Sequence, residues 1–267
     1  MKGSNLKIAA RDLYAGPGAS AARTASKEAG ADWYIASAGL GLVHSSTRVA
    51  AYDLSISKRA GRSSVLWKLK KAAQPASVAW WHAMNKARGS PYPLKRLIER
   101  RNHALFVVAL SEPYFQMVSP ELCELKPAVL SRVRIVGLRS TSLVPEKLRH
   151  LVMPYDDRLN GRNSTHRGTM SNFAQRTAGH FLQVISSRER MLGARSHANC
   201  VRSALQRFSR PRSVSRKRIN DERVKELITR LQKKGTKNAH LGLGQLRNRY
   251  RVACEQGRFY RLWAEAA

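Results

Sequence analysis

Carboxylates stand close to tyrosines or other polar residues at three places in the sequence: Asp12, Asp53 and Asp157. Asp12 precedes Tyr14 by two positions, and Asp53 directly follows Tyr52. A carboxylate near a sugar can stabilise the oxocarbenium-like transition state of N-glycosidic bond cleavage, or activate the attacking water. A tyrosine beside it can stack on an extruded base. The three carboxylates are therefore candidate catalytic residues, with Asp53 first, although each could instead cap a helix or pair with an arginine.

The stretch DWYIASAGLGLVHSSTRVAAYD, residues 32–53, is the first candidate for a pocket. Its apolar start predicts a strand over 33–36, followed by a loop of small residues that ends in a tyrosine and a carboxylate. In open α/β sheets, ligands bind beyond the carboxyl ends of the strands, where small residues allow close backbone approach. The predicted pocket residues are Ser37, Gly39, Gly41, Tyr52 and Asp53. The alternative is a buried strand followed by an ordinary loop.

The elements around this stretch alternate between helix and strand. The alanine-rich residues 19–29 predict a helix that Gly30 ends. The apolar runs at 104–110 and 133–138 are typical of strands buried in a parallel sheet, and 151–154 is a third candidate strand. We therefore predict an α/β fold with a mixed or mostly parallel sheet core over residues 1–185.

Residues 58–102 form a basic, helix-prone insert in this core. Trp67, Trp80 and Trp81 alternate with lysines and arginines, an arrangement that could stack on bases while the cations contact phosphates. The tryptophans could equally be core anchors of the helices.

The C-terminal third is interpreted in two parts. Residues 186–218 are rich in serine and arginine and predict a linker that lies on phosphate or is disordered when free. Residues 219–267 predict a small helical module of the helix-turn-helix type, with Asn220 or Asp221 capping the first helix and Gly235 ending it. The candidate contacts to a DNA backbone are Lys68, Lys70, Lys71, Arg212, Arg216, Lys217, Arg218, Arg247, Arg249 and Arg251.

The charge balance indicates the class of partner. The chain has 49 lysines and arginines against 17 acidic residues, a formal net charge of +32, which favours a polyanion such as nucleic acid. No spacing typical of a metal site, P-loop or serine hydrolase occurs, and the three cysteines are too scattered for a disulfide framework. The start lacks the apolar segment of a signal peptide. We expect a cytoplasmic, DNA-binding monomer without metal, cofactor or membrane contact.

Several strings, taken in order, resemble the YaaA-like superfamily, which includes the peroxide stress protein: ARDLYAGPGASAAR, DWYIASAGLGLV, AYDLSIS, ALSEPYF, MPYDDRLNG and RGTMSNFAQR. The resemblance covers roughly residues 9–185 and implies an α/β core that binds DNA. Some basic relatives resemble phage-defence DNA glycosylases that remove modified cytosines. The positions it emphasises are Arg11, Asp12, Tyr14, Ser37, Gly39, Gly41, Tyr52, Asp53, Asp157, Arg167 and Thr169. A non-enzymatic DNA-binding stress protein and an RNA- or tRNA-modifying enzyme are the alternatives.

Overall fold

The computed structural model describes residues 7–56, 64–65, 76–185, 189–211 and 215–266. The chain divides into two compact units, Met1–Pro211 and Arg212–Ala267. The predicted linker at 186–218 is therefore wrong in extent, because it contains a helix, Ala194–Gln206, whose Val201 and Leu205 are completely buried. The polar and charged residues of this segment outnumber the few apolar residues of the helix, so its buried face could not be identified from the sequence.

The N-terminal unit contains both helices and strands. The strands are β1 (Ile8–Ala9), β2 (Tyr34–Ser37), β3 (Gly41–His44), β4 (Arg48–Val49), β5 (Phe106–Ala109) and β6 (Val133–Val136). The α-helices are α1 (Ala10–Leu13), α2 (Pro17–Glu28), α3 (Ala76–Lys86), α4 (Pro93–Arg100), α5 (Glu112–Cys123), α6 (Pro127–Leu130), α7 (Phe173–Val184) and α8 (Ala194–Gln206). Short 3₁₀ helices cover Glu146–Leu151, Asp157–Asn160, Met170–Asn172 and Glu189–Met191.

The strand pairing is mixed. Among the described residues β1 pairs antiparallel with β4 and β2 antiparallel with β3, whereas β5 and β6 are parallel. A parallel bridge joins Ile135 to Val152, so the three apolar segments predicted as strands do lie side by side. The predicted parallel arrangement is present in these three segments, but the described strands form three separate two-stranded sheets and not one continuous core sheet. The parallel arrangement does not apply to the stretch 32–53, which folds as an antiparallel hairpin.

Proline and glycine set several helix boundaries in this unit. Pro17 and Pro93 stand in the first turns of α2 and α4, where the missing amide hydrogen has no cost. Gly30 follows α2 with a positive φ of 59°, which agrees with its predicted role as a helix stop.

The core of the N-terminal unit includes one of the tryptophans considered for base stacking. Trp81 is completely buried and its indole nitrogen donates a hydrogen bond to Glu121. Trp80 is partly buried and donates to the carbonyl of Ala38 at 2.7 Å. Both side chains therefore pack in the fold, as the alternative interpretation expects, while Trp67 lies outside the described residues.

The described part of the C-terminal unit has three helices, all within the predicted helical module: α9 (Asp221–Lys233), α10 (Ala239–Asn248) and α11 (Gln256–Glu265). Asn220 caps α9 by accepting a hydrogen bond from the amide of Arg223, as predicted, and Gly235 follows with a φ of 86°. The three helices bury one core, in which Val224, Leu246 and Phe259 are fully enclosed.

Candidate functional site

Three residues that are far apart in the sequence meet through their hydroxyl groups. Tyr14 bonds to Tyr52, and Tyr52 bonds to Ser37. The hydroxyl of Ser37 also accepts hydrogen bonds from the amides of Gly39 and Leu40, at 3.3 Å and 3.0 Å. We call Tyr14, Ser37 and Tyr52 the tyrosine site.

The hairpin of β2 and β3 positions this site. Ser37 ends β2 and pairs with Gly41, so the two strands reverse direction over Ala38, Gly39 and Leu40. Gly39 is required because a side chain there would lie 2.5 Å from the ring of Tyr52. The predicted glycine loop is thus a hairpin turn and not the loop after a parallel strand, a distinction that the apolar run at 33–36 could not reveal.

Helix α3 and the residues that follow it in the basic insert contact the hairpin. Trp80 donates to the carbonyl of Ala38, and Arg88 donates to that of Gly39 at 3.1 Å. The buried Asn85 lies against Gly41, where an added Cβ would come within 2.2 Å of its side-chain oxygen. These three residues were not predicted as part of the site, although the small residues of the AGLG turn were a signal that another element approaches closely.

The amides of the hairpin turn determine how the hydroxyl of Ser37 can bond. Two amides occupy the lone pairs of Ser37, so its hydroxyl proton is directed to Tyr52. Either hydroxyl can donate in the bond between Tyr52 and Tyr14. When Tyr52 is the donor, the proton of Tyr14 is available to a ligand. Burial raises the pKa of Tyr14, so this phenol stays protonated at neutral pH. Tyr14 is therefore suited to donate a hydrogen bond and not to attack as a phenolate.

A third phenol, Tyr114, stands near this network and was not predicted. Burial raises the pKa of Tyr114, and the nearby Tyr52 raises it further. Hydrogen bonds with the main chain of Ile56 and the side chain of Ser55 act in the opposite direction. The site therefore collects neutral hydroxyl groups.

The predicted carboxylates differ in their surroundings. Asp53 and Asp12 are both exposed, and each is within two positions of a tyrosine of the site. Asp12 lies in α1 and pairs with Arg11 at 3.9 Å and Arg23 at 3.4 Å. The strands before Asp53 are antiparallel, so the predicted place of Asp53 beyond a strand of a parallel sheet is wrong.

Asp157 is exposed and begins a 3₁₀ helix. Its neighbour Asp156 is the bonded carboxylate, because it accepts from the guanidinium and the amide of Arg158 at about 3 Å. Burial raises the pKa of Asp156, but the bonds from Arg158 outweigh that effect and lower it. Among the described residues no hydrogen bond or ion pair joins Asp157 to the tyrosine site.

The exposed Arg167 and Thr169 belong to a loop that is fixed by Arg176. This arginine is buried and donates to the side chains of Asn172 and Asn160, at 2.9 Å and 2.8 Å, and to the carbonyls of His166 and Thr169. Arg176 was not among the residues predicted for any site. Arg167 and Thr169 make no hydrogen bond to the tyrosine site among the described residues.

The predicted backbone contacts divide into two groups. Arg216, Lys217, Arg218, Arg249 and Arg251 are exposed, and Arg247 is half-buried. The remaining candidates, Lys68, Lys70, Lys71 and Arg212, lie outside the described residues. In the part of the chain that the structure describes, no group of three metal-binding side chains occurs, and no helix is long and apolar enough to cross a membrane.

Comparisons with known proteins relate only the first part of the chain to others. Residues 2–85 match the model of a family described as a family of unknown function, DUF6884. The matched segment contains the whole tyrosine site together with Asp12 and Asp53. No curated protein and no solved structure matches the chain.

Proposed function

We propose that the protein binds DNA, takes a modified base into the tyrosine site and hydrolyses its N-glycosidic bond, leaving an abasic site. The observation that carries this proposal is the chain of hydrogen-bonded hydroxyls that joins Ser37, Tyr52 and Tyr14. It presents a phenol donor in a chain whose net charge of +32 favours nucleic acid.

The hydroxyl groups of the tyrosine site and a nearby carboxylate would act on opposite sides of the glycosidic bond, on the base and on the sugar. When the bond between the base nitrogen and C1′ breaks, the base leaves with the electron pair, and Tyr14 donates a hydrogen bond to it. The sugar becomes oxocarbenium-like, and a carboxylate stabilises that positive charge or accepts a proton from the attacking water. Asp53 is the first choice for this carboxylate, because it directly follows Tyr52, with Asp12 second.

The packing of Tyr52 refines the idea of base stacking. Its ring lies against Gly39 and meets the ring of Tyr14 edge-on, with the centroids 6.4 Å apart. Tyr52 is therefore assigned the role of orienting Tyr14, and Tyr14 that of touching the base.

The resemblance to YaaA-like proteins and phage-defence glycosylases suggests cytosines modified by phage as the substrate and antiviral defence as the setting. A competing function is non-enzymatic binding of DNA. The exposure of both Asp12 and Asp53 favours this alternative, since catalytic carboxylates are usually in desolvated sites. A third candidate, modification of a base in RNA or tRNA, would use the same hydroxyl network.

The test is to incubate the protein with plain DNA, DNA with glucosylated hydroxymethylcytosine, and RNA, and to measure released base and alkali-labile sites. We expect product from the modified DNA alone. Asp53→Asn should lower the single-turnover rate by about 100-fold or more while DNA affinity stays within about twofold. Asp157→Asn is the matched control and should retain full activity. Steep salt dependence of binding with no product on any substrate would favour the non-enzymatic alternative.

A further inference from the structure

The C-terminal unit has an open groove of about 670 Å³ whose lining is dominated by guanidinium groups. Its lining residues are Arg216, Arg218, Arg247, Ala253, Cys254, Glu255 and Arg258. We call this the arginine groove. Of the six exposed or half-buried cations predicted to contact a DNA backbone in this unit, three line the groove, and Arg258 joins them as a residue that the sequence did not indicate.

Main-chain carbonyls accept hydrogen bonds from Arg216, Arg247 and Arg258, the last through the carbonyl of Ile219 at 2.9 Å. Arg247 donates to the carbonyl of Cys254 at 2.8 Å and 3.2 Å, and Arg216 donates to the carbonyl of Arg247 at 3.0 Å. A carbonyl is neutral, so these bonds restrict the side chains without cancelling their charge. A ligand that binds here loses less side-chain entropy than it would against freely moving arginines.

Arg218 and Arg258 keep the groove positive. Arg258 bonds to Asp221, but Asp221 also binds Arg261, so one carboxylate serves two guanidinium groups. Arg218 is exposed and makes no hydrogen bond or ion pair among the described residues. Glu255 caps α11 by accepting from the amide of Arg258 at 3.1 Å. The unit as a whole contains 15 lysines and arginines against five acidic residues.

We infer that the arginine groove binds phosphate oxygens of a nucleic-acid backbone. Guanidinium groups match the two non-bridging oxygens of a phosphodiester with paired N–H donors. An open groove with several such groups fits a chain of phosphates better than a single enclosed anion. This inference rests on the nucleic-acid binding in the proposed function and is independent of the tyrosine site.

The experiment measures the affinity of the full chain for a labelled duplex at several salt concentrations, by fluorescence anisotropy. Arg216→Gln/Arg218→Gln should make the slope of log affinity against log salt shallower by about two, since each phosphate contact contributes about 0.9. The matched control is Arg230→Gln/Lys233→Gln, which removes two exposed charges of α9 that do not line the groove. It should change the slope by much less.

Two outcomes would overturn the inference. Equal loss of slope in both double variants would mean that binding depends on overall charge alone. Displacement of the duplex by polyglutamate at the same charge concentration, in wild type but not in the groove variant, would assign the groove to acidic protein segments. Failure of the proposed function is recognised separately, as wild-type binding without any abasic product.

Discussion

The tyrosine site consists of neutral hydroxyl groups that bond to one another, whereas the arginine groove consists of like charges at the surface. The tyrosine site brings neutral hydroxyls from positions 14, 37 and 52 into one network, where each group is partnered by the next. The groove collects charged groups from residues 216–258 at an open surface and ties them to carbonyls. Neutral polar groups can be half-buried if they bond to one another, whereas a cluster of like charges must remain hydrated or meet an anion.

Arginines of the N-terminal unit show what burial does to the same side chain. Arg134 is buried and donates to His197 at 2.7 Å and to three carbonyls, and burial lowers its pKa to about 10. Burial also lowers the pKa of Arg176, which is surrounded by amide and carbonyl oxygens. These arginines connect loops and helices, whereas those of the groove are exposed or half-buried at the surface.

The largest expected effect on stability is the removal of a buried arginine, compared with the removal of an exposed one. Arg176→Gln should lower the free energy of unfolding by about 4 kcal/mol, because several buried oxygens lose their donor at once. Arg167→Gln in the same loop should change it by less than about 0.5 kcal/mol, since that side chain is exposed. Urea denaturation measures both. If Arg176→Gln lowered the free energy of unfolding only slightly, water would have to replace the guanidinium as the hydrogen-bond donor.

Two glycines should respond to the same substitution with opposite signs. Gly41 has a φ of 76°, and an added Cβ would strike Asn85, so Gly41→Ala should destabilise the protein by about 3 kcal/mol. Gly244 lies within α10 with open space around its Cα, so Gly244→Ala should stabilise the C-terminal unit by about 1 kcal/mol. Thermal or chemical unfolding of each unit would reveal the signs. Equal signs would contradict the packing described for the hairpin.

Acid should destabilise the N-terminal unit through His180. Burial lowers its pKa from 6.5 to about 4, with a smaller contribution from His166, and Tyr155 bonds to its Nδ1 at 2.9 Å. Because the folded pKa lies below the unfolded value, the unfolded chain binds more protons between these limits, and stability falls as the pH drops through this window. Between pH 7.5 and pH 5 the loss should be about 2 kcal/mol. His180→Gln should remove most of that difference; an unchanged pH dependence would reject this cause.

Local patterns predicted the elements better than their long-range partners. The continuous apolar runs at 104–110 and 133–138 indicated buried strands, the alanine-rich residues 19–29 indicated α2, and residues 219–267 were predicted as a helical module. The hairpin was missed because a strand of four residues looks the same whether its neighbour is parallel or antiparallel. Helix α8 was missed because its buried residues include His197 and Ala198 among arginines and serines.

The candidate site could be predicted only in part, because its residues come together through long-range contacts. Tyr14, Ser37 and Tyr52 were named together, and they do meet. Asp157, Arg167 and Thr169 were grouped with them, but they show no bond to them in the described part of the chain. Sequence order cannot say which loops face each other, and a guanidinium such as that of Arg176 can be buried when amide and carbonyl oxygens satisfy it.

The most direct test of this account is a crossed experiment that measures duplex affinity and single-turnover release of modified cytosine for three proteins. The proteins are the wild type, Tyr14→Phe and Arg216→Gln/Arg218→Gln. The account predicts that Tyr14→Phe slows base release by about tenfold or more with unchanged affinity, and that the groove variant binds more weakly but releases base at the wild-type rate when saturated. Unchanged base release by Tyr14→Phe, or a slowed saturated rate in the groove variant, would contradict it.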